Sequence, residues 1–241
     1  MNATHDCTPQ QSNYLLNVLR FGQGDEILVF DGATGEWRAR LVAVGRGRCA
    51  LEVTEQVGPQ EEGPDLHYLF APLKHARLDY MVQKATEMGV AALRPVVTRR
   101  TVTSRVKLER MRANAVEAAE QCGVLRVPEV HEPVKLMALL EGWEPARRIV
   151  YCDEEAEIAS PVEALAGVEP GPLAVLIGPE GGFDETEREA LRQRPFVVPV
   201  SLGPRVMRAD TAAVAALALV NAVLGDWRSL CTTCQTPARA P

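Results

Sequence analysis

The sequence predicts an α/β protein in which a small β-rich domain precedes a larger domain with a parallel sheet. Short alternating runs broken by turn residues occupy the chain to about residue 57, which is typical of antiparallel strands. After a linker rich in Gly, Pro and Glu at residues 55–65, apolar runs alternate with helical segments, as in parallel sheets. Two later apolar runs each end in a loop rich in glycine and proline. We therefore predict domains at 1–58 and 66–228, followed by a polar tail at 229–241.

In the first domain we predict strands at 27–30, 37–44 and 49–53, with turns at Asp31-Gly32 and at residues 45–47. Strand alternation puts Arg38 and Arg40 on one outer face, where they could bind an RNA backbone or simply be solvated. Residues 1–13 show no pattern.

In the second domain we predict strands at 67–71 and 91–97 and helices from about Leu78 to Gly89 and at 108–122. A buried strand at 173–177 precedes a helix. Asp184 and Glu187 form a capping-box pattern at the start of this helix, which ends near Gln193. A strand at 196–200 precedes an alanine-rich helix, capped by Asp210 or Thr211, that ends at Gly225.

The two glycine-rich loops follow the strands at 173–177 and 196–200, and ligands of open α/β sheets bind beyond the carboxyl ends of such strands. Neither loop has the G-x-G-x-x-G pattern or a Lys-Ser/Thr pair, so dinucleotide and phosphate loops are disfavoured. Acidic residues at both helix starts would also repel a phosphate. Backbone groups exposed by glycine suit an adenosyl ligand with a positive centre, such as S-adenosylmethionine. The alternative is that these glycines only form turns between strands and helices and bind no ligand.

Composition excludes several classes of protein. The formal net charge of −6 disfavours an indiscriminate nucleic-acid binder, although residues 94–112 carry seven Arg and Lys residues and one acid. That segment could contact phosphates or form a solvated face. No stretch is long and apolar enough to span a membrane, and six scattered cysteines indicate reduced thiols in a cytoplasmic protein. The acidic residues between 141 and 169 are expected on plain surface.

We predict no metal site. Cys231 and Cys234 form a lone C-x-x-C in the polar tail, and zinc sites usually need four ligands. The four histidines have no metal-ligand spacing among themselves.

Five segments in order resemble the motifs of the RsmE family of SPOUT methyltransferases, over roughly residues 14–228. They are I-G-P-E-G-G-F at 177–183 with Glu187, L-G-P-R-V-M-R-A-D-T-A at 202–212, Q-K-A-T-E-M-G-V at 83–90, A-A-E-Q-C-G at 118–123 with V-P-E at 127–129, and Leu19-Arg20 with Gly24-Asp25 and Asp31-Gly32. The chain departs from the family at Met207 and Ala209-Asp210, where Leu and Thr-Glu are usual, and at Val124, where Arg is common. The family also usually has a basic strand before Leu19-Arg20, so we expect either a first domain that is incomplete at its start or a misassigned start of the sequence.

The resemblance implies a PUA-like β-barrel, used for RNA binding, and a SPOUT α/β knot, a C-terminal trefoil whose two glycine loops close the pocket. It implies S-adenosylmethionine-dependent methylation of N3 of one uridine in 16S ribosomal RNA, on an assembled small-subunit particle in the cytoplasm, by a homodimer paired through the SPOUT domain. A SPOUT enzyme with another RNA target, or a non-catalytic RNA-binding protein, are the alternatives; an oxidoreductase or kinase is disfavoured by the missing lysine.

Most candidate residues follow from the matched motifs, whereas Arg38 and Arg40 come from strand alternation and Arg99 and Arg100 from the basic segment at residues 94–112. Arg208 is the candidate for binding a target phosphate or stabilising a uracil anion, unless it only pairs with Asp210 or Glu180, and Glu180 and Asp210 are candidate proton acceptors. The cofactor candidates are Leu176, Ile177, Gly178, Pro179, Glu180, Gly181, Gly182, Leu202, Gly203, Arg205, Val206 and Met207. The RNA-binding candidates are Arg20, Arg38, Arg40, Lys74, Arg99, Arg100 and Arg205.

Overall fold

The computed structural model describes residues 3–103, 105–156 and 160–228. Its contacts divide the chain into two compact units, residues 1–62 and residues 63–241. The predicted polar tail with Cys231 and Cys234 lies outside the described residues. No helix in the described part of the chain is long and apolar enough to cross a membrane.

The first unit is a four-stranded antiparallel sheet with strand order β1-β4-β3-β2. The turn between β2 and β3 is closed by Asp31, whose carboxylate accepts the backbone N–H groups of Ala33 and Thr34 at 2.9 and 2.7 Å. Leu15, Leu41 and Cys49 form the small apolar core. The elements are β1 (Ala3–Asp6), α1 (Pro9–Asn13, continued by a π-helical turn at Tyr14–Val18), β2 (Glu26–Phe30), β3 (Glu36–Gly45) and β4 (Arg48–Gly58).

The sequence shows no pattern over residues 1–13, yet residues 3–13 do form structure: β1 pairs with β4, with Ala3 opposite Val53, and Thr8 starts α1 with a capping box. All four residues of β1 are exposed, so the strand is held by its backbone and leaves no apolar alternation to detect. The expected linker also begins later than residue 55, because β4 continues to Gly58.

The second unit contains a parallel sheet with strand order β11-β9-β10-β5-β6-β7, and β8 pairs with β6. Its central strand β10 is buried on both faces, as the continuous apolar run predicts. The strands are β5 (Leu66–Phe70), β6 (Ala92–Val97), β7 (Glu129–Val130), β8 (Val134–Lys135), β9 (Arg148–Cys152), β10 (Leu173–Ile177) and β11 (Val197–Val200).

Helices cover both faces of this sheet and enclose two apolar clusters. Along β10, Leu173, Val175 and Ile177 join one cluster, whereas Ala174 and Leu176 join the other. The helices are α2 (His75–Glu87), α3 (Leu108–Cys122), α4 (Leu136–Glu141), α5 (Pro161–Ala166), α6 (Glu185–Arg192), α7 (Ala209–Val223) and a 3-10 turn at Asp226–Arg228.

The helix ends test the predicted caps. Asp184 and Glu187 form the predicted capping box of α6, and Gly123 ends α3 in the left-handed conformation at φ 64°. The predicted cap of α7 is wrong: the helix begins at Ala209 with Arg208 as its N-cap, without a side-chain hydrogen bond. Asp210 lies in the first turn, where its carboxylate accepts the N–H of Thr211 at 2.9 Å.

Candidate functional site

A cavity of about 260 Å³ lies where β9, β10 and β11 end. The three strands are parallel neighbours, with β9 between the two strands that carry the glycine loops. The carboxyl ends of the strands therefore bring three chain segments to one place. The lining residues are Tyr151, Cys152, Asp153, Glu154, Ile177, Gly178, Pro179, Glu180, Gly182, Phe183, Arg188, Leu202, Gly203, Arg205, Val206, Met207, Arg208, Ala209 and Ala212.

The first loop requires glycine at Gly178. A Cβ on Gly178 would lie 2.8 Å from Cδ2 of Phe183 and closer still to Cε2 of the same ring. The Phe183 ring is buried and packs edge-on against Tyr151, with ring centroids 5.2 Å apart. The backbone of Gly178 thus lies directly against the aromatic floor of the cavity.

The segment after β6 clamps the start of α6. Glu187, which is 3% exposed, accepts the backbone N–H of Asp184 at 3.2 Å and that of Arg99 at 2.8 Å. The Arg99 side chain lies 3.3 Å from the Asp184 carboxylate, and Arg100 donates to the carbonyl of Gly181 at 2.8 Å. Arg99 and Arg100, which were predicted to bind RNA, therefore both hold the first glycine loop in place.

We expect the Glu187→Ala substitution to lower the free energy of unfolding by about 1–3 kcal/mol, because it leaves two backbone N–H groups without their acceptor. Chemical denaturation measures the difference. Glu189→Ala, an exposed change on the same helix, is the control and is expected to stay within about 0.5 kcal/mol of the wild type. Equal effects of the two substitutions would contradict the clamp.

The second loop is open to solvent. Gly203 has φ +105°, a Cβ at this position would meet no atom within 4 Å, and Val206 is 90% exposed. Arg208 is exposed and makes no ion pair with any residue that the structure describes. A free guanidinium at the rim of a cavity is available to a ligand.

A charge cluster around the buried Arg188 and Asp153 forms one wall of the cavity, and the sequence patterns did not predict it. Arg188, with a side chain only 7% exposed, lies 3.1 Å from Glu154 and 3.6 Å from Asp153, and it also pairs with Glu155. Arg192 pairs with Asp153 at 2.7 Å. Asp153 is 2% exposed, so the expectation of plain surface for residues 141–169 is wrong there.

The cavity also has an unused polar atom. The hydroxyl of Tyr151 is buried and has no hydrogen-bond partner among the described residues. Burial raises the pKa of Tyr151 well above its usual value, and the nearby Asp153 adds to the effect. The hydroxyl is therefore protonated at neutral pH and can donate to a ligand. Tyr151 reaches the cavity because β9 lies between the two strands that precede the glycine loops. The sequence signal that could have pointed to it is the I-V-Y-C-D run at residues 149–153.

The structure brings most of the predicted cofactor residues together. Leu176 and Gly181 are the exceptions: they are not among the lining residues, and Leu176 is packed in the core. Asp210, predicted as a proton acceptor, is not among the lining residues either. Glu180 lines the cavity and pairs with Arg77, not with Arg208.

The other candidate RNA contacts differ in how their charge is compensated. Arg38 and Arg40 share Glu26, at 3.5 and 2.9 Å, and Arg38 also binds Glu55. Arg20 is exposed, adopts φ 59°, and has no partner among the described residues. Lys74 is exposed at the start of α2, close to the Arg77–Glu180 pair.

Comparison with known proteins identifies the class. Residues 60–221 match the family model of the RNA methyltransferase domain, and residues 8–54 match that of the RNA methyltransferase PUA domain. The chain is an RNA methyltransferase. It is 34% identical over 231 residues to the ribosomal RNA small subunit methyltransferase E of Synechocystis, covering 93% of this chain and 75% of that protein. The chain belongs to the family of ribosomal RNA small subunit methyltransferase E, which confirms the resemblance to the RsmE family.

Two solved structures have the same fold over both units. Ribosomal RNA small subunit methyltransferase E from Neisseria gonorrhoeae, bound to S-adenosylmethionine, superposes with a TM-score of 0.84 at 26% identity and covers 94% of each chain. A methyltransferase from Legionella pneumophila in complex with the same cofactor gives a TM-score of 0.82 at 28% identity, over 93% of this chain and 94% of that one.

Proposed function

We propose that this protein transfers the methyl group of S-adenosylmethionine to N3 of one uridine in 16S ribosomal RNA, on an assembled small-subunit particle in the cytoplasm. The observation that carries the proposal is the cavity at the ends of β9, β10 and β11, with its glycine walls and its unpaired Tyr151 hydroxyl. Family membership supports the choice of RNA.

The residues of the cavity suit S-adenosylmethionine. The lining residues of the two loops, at 177–180, 182, 202–203 and 205–207, place their backbone at the cavity, and the Tyr151 hydroxyl offers one more donor. Three carboxylates of this wall face two cations, Arg188 and Arg192, so the cluster keeps one negative charge in excess, which favours a sulfonium. The first turn of α6 carries Glu185 and Glu187, which disfavours a phosphate.

The bound cofactor supplies an electrophilic methyl group on a positively charged sulfur. As N3 forms its bond to the methyl carbon, the carbon–sulfur bond breaks and the N3 proton must leave. Arg208 lies on the cavity rim without an ion pair to the described residues and would stabilise the negative charge on uracil O2 or O4. Of the two candidate acceptors, Glu180 lines the cavity and Asp210 does not, so we assign the proton to Glu180. Its pairing with Arg77 orients the carboxylate.

RNA would be held by cations of both units. Arg20, Lys74 and Arg205 are exposed and available for phosphates. Arg38 and Arg40 would exchange carboxylate partners for phosphates, and Arg99 and Arg100 would act chiefly by holding the first loop.

We also propose the trefoil knot and a homodimer paired through α7. Ala213, Leu217 and Val220 turn one face of α7 into the core, whereas Val214, Ala215 and Ala218 stay half-exposed on the rest of the helix. A second copy packed on this apolar face would bury it.

The deciding experiment uses small-subunit particles purified from cells that lack this activity. Incubation with the protein and isotopically labelled S-adenosylmethionine is expected to yield labelled 3-methyluridine, detected by mass spectrometry of the digested 16S RNA. Transfer to a ribose hydroxyl or to another base would contradict N3 specificity. No transfer to any RNA would contradict the proposal.

We expect the Arg208→Gln substitution to slow methyl transfer about 100-fold or more, because removing one donor to a developing anion typically has an effect of this size. The affinity for S-adenosylmethionine is expected to change less than about threefold. Single-turnover transfer and calorimetry measure the two quantities. Arg112→Gln, which removes a surface cation paired with Glu109, is the control. A wild-type transfer rate in Arg208→Gln would remove Arg208 from the mechanism.

A further inference from the structure

A second cavity, of about 650 Å³, lies at the opposite end of the parallel strands, where the strands begin. It is lined by His67, near the start of β5, and by Arg147, just before β9, whereas the first cavity lies where β9 ends. Arg94 from β6, His131 after β7 and Trp143 also line this second cavity. The function proposed above does not use it.

Arg94 is the uncompensated cation of this cavity. Its guanidinium lies over the Trp143 ring, 5.5 Å from the centroid, and forms no hydrogen bond or ion pair with any residue that the structure describes. Burial lowers the pKa of Arg94, and the charge of Arg147 adds to this effect while Glu129 opposes it. Arg147, in contrast, is paired with both carboxylate oxygens of Asp65 at 2.8 and 2.9 Å. Glu132 and Glu144 also line the cavity and are exposed.

Two histidines beside Arg94 have ring nitrogens without partners. Nδ1 of His67 and Nε2 of His131 are buried and have no hydrogen-bond partner among the described residues, and the rings lie 6.4 Å apart. Nε2 of His131 has the Glu129 carboxylate 3.4 Å away, and Nε2 of His67 has Asp65 at 3.8 Å. Neither contact is a hydrogen bond, and each becomes an ion pair only when the imidazole is protonated. A buried polar atom without a partner is unfavourable, so a ligand that satisfies both nitrogens would remove that cost.

We infer that this cavity binds a phosphate group, carried by a nucleotide or by RNA. Arg94, His67 and His131 come from three separate segments of the chain and all line the cavity. A tetrahedral phosphate has enough oxygens to accept from all three once the two histidine rings turn their buried nitrogens toward the cavity. The volume lies in the range of small-molecule sites, so a nucleoside attached to the phosphate can be accommodated. One part of this inference rests on the proposed function, namely that RNA is one of the two molecules that could carry the phosphate.

Nuclear magnetic resonance of the histidine side chains in the full-length protein tests the inference. Inorganic phosphate, uridine 5′-monophosphate and a short oligoribonucleotide are titrated separately, which distinguishes free phosphate from RNA as the source. We expect saturable shifts of the His67 and His131 resonances with at least one probe. Without ligand, burial together with Arg147, Arg94 and His131 lowers the pKa of His67 to about 4, against the opposing effect of Asp65. A bound anion is expected to raise it.

Arg94→Gln is expected to weaken phosphate binding at least about tenfold, since hydrogen bonds to charged groups contribute strongly. Arg112→Gln, the same change at a surface arginine, is expected to bind like the wild type. Unchanged S-adenosylmethionine affinity shows that a variant is folded, and His131→Phe serves if Arg94→Gln fails to fold. The absence of saturable shifts with all three probes overturns the inference, and so does wild-type binding by a folded Arg94→Gln or His131→Phe protein. Because binding is measured without methyl transfer, failure here is distinct from failure of the proposed function.

Discussion

The Gly178→Ala substitution is expected to weaken S-adenosylmethionine binding at least about 100-fold, which corresponds to about 2.7 kcal/mol. It is also expected to lower the free energy of unfolding by about 1–3 kcal/mol, the usual cost of overpacking. The added methyl group would lie 2.8 Å from one carbon of the Phe183 ring and closer to another. Because Phe183 is buried against Tyr151, the ring cannot retreat without disturbing the cavity floor. Calorimetry and urea denaturation measure the two effects.

Gly171→Ala is the matched control for this substitution. A Cβ on Gly171 would have nothing within 4 Å, and the residue has no left-handed φ. We expect binding and stability within about 0.5 kcal/mol of the wild type. If Gly178→Ala behaved like this control, the first loop would not lie against Phe183 as described.

The second large effect is expected from Arg188→Met, which should lower the free energy of unfolding by about 3–5 kcal/mol. The substitution keeps much of the side-chain volume but leaves the buried carboxylate of Asp153, and those of Glu154 and Glu155, without this cation. Arg192 still pairs with Asp153 at 2.7 Å, so part of the compensation remains. Urea denaturation at neutral pH measures the loss.

Arg112→Met is the control for Arg188→Met, because the side chains of Arg112 and Glu109 are both largely exposed. Exposed pairs contribute little, so we expect a change of less than about 1 kcal/mol. The double variant Arg188→Met with Asp153→Asn should recover part of the lost stability, because it removes a buried charge that only Arg192 then compensates. A loss below about 1 kcal/mol in Arg188→Met would show that the cluster is not the buried network described here.

Sequence patterns predicted those parts of the fold that depend on neighbours along the chain. The apolar run of β10, the capping box of Asp184 and Glu187, and the glycine end of α3 at Gly123 are all local, and all three are confirmed. The strand β1 escaped prediction because its stability comes from backbone pairing with a strand some fifty residues later, as the pairing of Ala3 with Val53 shows. The cap of α7 was misplaced because an Asp at the first turn and an Asp at the N-cap look alike in sequence.

The two glycine loops and the capping box could be predicted from local sequence, because glycines and caps act within a few residues. The class of this protein and its adenosyl cofactor were implied by five short motifs that resemble one family, and these motifs are local as well. The surroundings of those loops depend instead on tertiary contacts. Placing β9 between β10 and β11 brings Tyr151 and the Asp153–Arg188 cluster to the cavity. The same sheet brings Arg94, His67 and His131 together at the end where its strands begin. Contacts between residues far apart in the chain follow from strand order, and no local pattern encodes that order.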